Sequence, residues 1–115
     1  MSDRELLELA AKAAGMNIRV EESWQPHIYA PFFHDEDKNG ALWNPLTDDG
    51  DALRLAVKLG LEIYHSINND RWSVFVGYPS GGRIVYVFDE WGDDENAATR
   101  RAIVRAAAAI GKATP

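Results

Sequence analysis

Asp35, Asp37, Asn39 and Gly40 stand at the D-x-D-x-N-G spacing that opens a calcium-binding EF-hand loop. Such a loop holds the ion through carboxylate and carbonyl oxygens and closes with a bidentate Glu at its twelfth position. Counted from Asp35, that position is Leu46, and the flanking residues are strand-like instead of helical. The segment therefore reads as a solvated turn, with Asn39-Gly40 a strong hairpin signal. The acids that follow, Asp48, Asp49 and Asp51, crowd a helix start, where free amides and the helix dipole favour negative charge without any metal.

Catalytic chemistry is thinly represented. His27 and His34 are seven residues apart, a spacing that fits no common zinc pattern, and His65 stands on an otherwise apolar strand face. None of Ser2, Ser23, Ser66, Ser73 or Ser80 occupies a G-x-S-x-G elbow between strand and helix. Ser80-Gly81-Gly82 joins two strands, so it lacks the helix N-terminus that cradles phosphate. The absence of cysteine removes thiolate catalysis, disulfides and cysteine-ligated metals. The expectation is a non-enzymatic protein with no cofactor and no metal.

Binding chemistry is better represented. Trp24, His27, Tyr29, Phe32, Phe33, His34 and Trp43 gather around a segment stiffened by Pro26 and Pro31. Aromatics with a polar edge are enriched at binding surfaces, and prolines reduce the entropy lost when a loop is fixed. Some of these rings must also pack in so small a chain. Arg100, Arg101 and Arg105 form the main basic cluster, fit for an anionic partner or for pairing with nearby carboxylates. The formal charge of −6 disfavours nucleic acid, which needs a concentrated basic face.

The elements that must position these groups follow from periodicity. Ser2 and Glu5 form a capping-box pair before a helix at about residues 3 to 14, and Gly15 suits its stop. Ile18 and Val20 alternate with Arg19 and Glu21 as in a strand. Thr47 or Asp48 caps a second helix carrying Leu53, Ala56, Val57 and Leu59, which Gly60 ends. Beyond it the period drops to two: "LEIYHSI", "RWSVFVGY" and "RIVYVF" read as three strands joined by the turns "NND" and "PSGG". The last is apolar on both faces and asks for a helix on each. "AATRRAIVRAAAAIGK" supplies a third helix, with Ile103, Ala106, Ala107 and Ile110 as its packing stripe and Gly111 near its stop.

With 115 residues, 46% of them apolar and 26% charged, the chain suits one domain with a packed core. No apolar run approaches the ~20 residues of a membrane span, and "MSDRELLELAAK" does not read as a secretory signal. A cytoplasmic setting is expected.

Three segments, "RELLELAAKAAG", "WNPLTDDGDALRLAVKLGLEI" and "ATRRAIVRAAAAIGKA", resemble the small bacteriophage and prophage proteins grouped as the phage ABA sandwich domain family. Together they span most of the chain, and Trp43-Asn44-Pro45-Leu46 before an acidic helix start is the most specific part. The resemblance implies a phage or prophage origin and an α/β/α layered domain; it carries over no activity and no catalytic residues. Residues 23–41 and 64–82 depart from the family pattern, and variable loops on a common scaffold are where binding specificity is placed.

The resulting expectation is a compact α/β (α+β) sandwich with an antiparallel-rich sheet of about five or six strands and three helices. Its function would be that of a phage accessory protein binding a host protein or small molecule. The alternatives are a sponge for a nucleotide signal, with aromatics stacking on bases and the three arginines on phosphate, and a minor virion component. Self-association is open.

Overall fold

Ser2 starts the first helix as its spacing to Glu5 predicts: its hydroxyl accepts the Glu5 amide at 3.2 Å and donates to the Glu5 carboxylate at 3.3 Å. This is a variant of the capping box in which the Glu side chain answers the hydroxyl instead of the cap amide. The computed structural model describes residues 1–21 and 32–115. The helix, α1, runs Asp3–Ala13. Asp48 caps α2 (Asp49–Leu59) by accepting the Asp51 amide at 2.8 Å, and Gly60 closes it at φ +64°. Asp94 caps α3 (Glu95–Ala113) by accepting the Ala97 amide at 2.9 Å. The carboxylate caps of α2 and α3 also complement the helix dipole.

The strands fall into two antiparallel sheets of three. The first is β1 (Ile18–Glu21), β2 (Phe32–Asp35) and β3 (Ala41–Leu42), with a single 3-10 turn at Glu36–Lys38 and left-handed Asn39 and Gly40 between β2 and β3. The turn expected of this acidic stretch is therefore present. The second sheet is a meander of β4 (Glu62–Asn68), β5 (Arg71–Ser80) and β6 (Arg83–Glu90). Its two tight turns place Asn69 and Asp70, then Gly81 and Gly82, at positive φ, the pattern of a type I′ hairpin.

The α+β class and the three helices are as expected, but one sheet of five or six strands is not formed: the strands divide three and three. β3 pairs with β2 at only two positions, which leaves little ladder for β4 to extend. Among the described residues no helix is long and apolar enough to cross a membrane.

All the major interhelical and helix–sheet packing runs through α3, which meets α1, α2, β5 and β6. Its Ala102, Ile103, Val104, Ala106, Ala107 and Ala108 are buried. Val74 and Val76 of β5 are fully covered, each contributing roughly 1.5–3 kcal/mol. Arg105 of α3 bonds Asp89 at 2.8 Å, which marks the side of the sheet bearing Val74, Val76, Val87 and Asp89 as the helix side. The expectation that helices cover both faces is not met among the described residues, because α1 and α2 turn their apolar stripes onto α3 instead of the far side of the sheet.

Gly111 has a different role from the stop its position suggested. A Cβ there would stand 2.0 Å from the Leu9 carbonyl oxygen, so α1 and α3 cross with backbones in contact. Ordinarily Gly to Ala inside a helix stabilises by about 0.5–1 kcal/mol, whereas overpacking costs about 1–3 kcal/mol. Gly111→Ala is accordingly expected to destabilise by at least about 1 kcal/mol in urea unfolding; a higher urea midpoint than wild type would contradict the close crossing.

Candidate functional site

Of the aromatic cluster singled out from sequence, Phe33, His34 and Trp43 are described with their side chains. Trp24, His27 and Tyr29 lie outside the described residues, and of Phe32 only the strand backbone is described. Phe33 and Trp43 are core residues, 3% and 6% exposed, with rings edge-on at 6.4 Å. His34 Nδ1 is 2.9 Å from the Gly40 carbonyl, which only accepts, so the proton sits on Nδ1. Its Nε2 is buried without a hydrogen bond and lies 3.5 Å from the Glu21 carboxylate, too far for a good one.

The arginines of α3 are brought to three separate partners. Arg100 donates to the Leu46 carbonyl at 2.9 Å and to Asp49 at 2.6 Å. Arg101 reaches Asp3 at 3.4 Å, and Arg105 reaches Asp89 at 2.8 Å and the Phe88 carbonyl at 3.1 Å. Each fastens α3 to a neighbouring element, and none is left over as part of a shared cationic patch.

Asp35 of the opening motif and Asp51 at the α2 start are occupied in the same way. Asp35 accepts the Asp37 amide at 3.0 Å, and Asp51 accepts the Asn44 amide at 3.0 Å while pairing with Arg54 at 2.8 Å. Among the described residues no group of three or more His, Asp or Glu side chains is placed to hold a metal ion.

Two apolar surfaces that the sequence did not single out flank the β4–β6 sheet. The first is a groove of about 360 Å³ between α2, β4 and the start of α3, within the size range of ligand clefts, about 300–1,000 Å³. Leu53 and Ile63 stand exposed at it, and buried Ile103 lies beneath. Trp91 and His65 form one wall: the indole N–H donates to His65 Nδ1 at 3.0 Å, and the Trp91 ring stacks on Trp72 at 5.0 Å. Because Nδ1 accepts, the neutral imidazole carries its proton on Nε2, a donor with no protein partner among the described residues. Asp49, Glu95 and Arg100 complete the polar rim.

The second surface is the far face of the sheet. Strand register aligns Tyr64, Phe75 and Phe88 in one row, with Glu62, Gly77 and Tyr86 in the next and Ser66, Ser73 and Glu90 on the other side. Tyr64 stacks on Phe75 at 5.0 Å and meets Tyr86 edge-on at 5.7 Å, while Phe75 meets Phe88 at 5.2 Å. Gly77 is the space these rings need: a Cβ there would stand 2.7 Å from Ile84 Cγ2 and 2.8 Å from Tyr86 Cε1. Tyr64, Tyr86, Phe88 and Ile84 remain 42–49% exposed.

The signal for this face was present as the doubly apolar "RIVYVF", although alternation alone does not say what covers each side. The Trp91–His65 contact spans 26 residues and left no local trace. No protein-family model, curated protein or solved structure matches the chain.

Tyr86 offers a direct check on the far face. Its hydroxyl donates to Glu62 Oε1 at 2.9 Å; this bond first, then desolvation and the carboxylate's charge, raises the phenol above its usual 10.0. The folded state thus favours the protonated phenol, a contribution present below the unfolded ionisation range and lost as pH rises through the folded one. Glu62→Gln is expected to move tyrosinate absorbance to lower pH; an unchanged titration curve would contradict the pairing.

Proposed function

We propose that this chain is a non-enzymatic binding module whose ligand-facing site is the groove between α2, β4 and the start of α3. The carrying observation is the Trp91–His65 bond, which holds an aromatic wall in place and leaves the His65 Nε2–H, among the described residues, as an unused donor beside exposed Leu53 and Ile63. A ligand matching these groups has an apolar body and a hydrogen-bond acceptor. A protein side chain at a docking surface and a small molecule share that chemistry.

The rim argues against phosphorylated ligands. Asp49 and Glu95 bring negative charge to the groove, and Arg100 is already paired with Asp49. A nucleotide sponge built on Arg100, Arg101 and Arg105 would have to break three existing ion pairs. In the phage setting that the sequence resemblance suggests, the partner would be a host protein or a host small molecule met in the cytoplasm.

Affinity capture from host extract, read by proteomic and small-molecule mass spectrometry, tests the site when wild type is compared with Leu53→Asp and His65→Ala. Removing the apolar contact or the donor should each cost about 1.4 kcal/mol or more, hence a tenfold or greater loss of the captured species. Phe88→Lys, on the far face, should retain it. Undiminished capture by a folded Leu53→Asp, His65→Ala double variant would remove the groove from the function.

A further inference from the structure

We infer that the far face of the β4–β6 sheet is a homodimer interface, occupied by the same face of a second copy of this chain. The face is strand-built, with a hollow beside the central row lined by Ser66, Ser73, Phe75 and Phe88, and a strand-built face can be covered by another of its kind. Sheet-on-sheet packing does this, with inner side chains interdigitating across about 10 Å.

The arrangement of charge favours a copy of the same chain. The central row, Tyr64, Phe75 and Phe88, is uncharged, and a two-fold axis lying in the interface at Phe75 places that ring against itself with tyrosines and phenylalanines around it. Two copies each carrying −6 repel one another, so self-association needs a face from which net charge is removed. This face carries little of it: Glu90 lies 3.9 Å from Arg71, and Glu62, which accepts the Tyr86 hydroxyl and keeps its charge, stands in the row beside the central one. The same features count against a nucleic acid strand, for which stacking rings must be accompanied by free cations along a groove. Arg71 is the cation that the register places on this face, and Glu90 is beside it.

Area sets the strength of association. Four side chains 42–49% exposed, together with half-buried Phe75, present roughly 400 Å² of apolar surface per copy, hence on the order of 800 Å² for the pair. That sits at the lower edge of specific interfaces, so the dimer is weak and concentration-dependent.

Sedimentation equilibrium of the full chain from about 5 to about 500 µM is expected to show a monomer–dimer equilibrium with Kd on the order of 10–100 µM. Phe88→Glu and, separately, Tyr64→Glu should each weaken it at least about thirtyfold by burying an unpaired charge. A wild-type chain that stays monomeric throughout, or a dimer that both folded variants preserve, overturns the inference. The wild-type chain also carries a test independent of variant folding: on dilution the ring resonances of Tyr64, Phe75, Tyr86 and Phe88 should shift while those of Phe33 and Trp43 stay fixed. Dilution shifts confined to other residues, or none, overturn it equally.

Discussion

The structure depends on one crowded contact, the crossing of α3 over α1 at Gly111, where only the lack of a Cβ lets the Leu9 backbone approach. A helix whose buried side is largely alanine can carry several partners at short range. α3 accepts α1 and α2 as well as the sheet, and its three arginines tie it to the start of α1, the start of α2 and β6. The consequence is one-sided. Helices engaged with α3 are unavailable for the far face of β4–β6, and the aromatic side chains there remain in contact with solvent.

The two sides of the same sheet consequently differ in kind. On the helix side, the sheet and helices meet along a groove in which Leu53, Ile63, His65 and Trp91 combine apolar surface with a donor, His65 Nε2–H, that no described residue accepts. On the far side, Tyr64, Phe75, Tyr86 and Phe88 form a continuous stack flanked by Glu62, bonded to Tyr86, and by Glu90, near Arg71. A groove of mixed polarity suits a ligand, and an exposed aromatic sheet face suits a large apolar partner. β4 contributes to both: Ile63 and His65 project one way, Tyr64 and Ser66 the other. Binding in the groove and association across the face are therefore separated by the thickness of one strand, although the residues that perform them do not overlap.

Local rules carried much of the fold. Ser2, Asp48 and Asp94 cap their helices through amides three residues on, and the turn residues of "NND" and "SGG" take the positive φ that their types favour. These features are short-range, so a single sequence contains them. What covers each face of a strand is a tertiary matter. Phe33 and Trp43 have the composition of a binding surface, yet they pack in the core, because an aromatic ring satisfies either setting and only its neighbours decide. Gly111 looked like a stop signal for a comparable reason: the Leu9 carbonyl that requires glycine there is more than a hundred positions away in the chain. The calcium-like motif was legible locally, since the missing twelfth ligand was visible in the sequence and Asp35 accepts the Asp37 amide within the turn.

The central claim is that, among the described residues, no helix covers the far face of the second sheet. Hydroxyl-radical footprinting, read residue by residue at a concentration far below that of any dimer, tests it most directly because exposed and buried aromatics serve as mutual controls. Tyr86 and Phe88 should oxidise rapidly while Phe33 and Trp43 stay protected. Protection of Tyr86 and Phe88 equal to that of Phe33 and Trp43 in the dilute monomer would contradict the account.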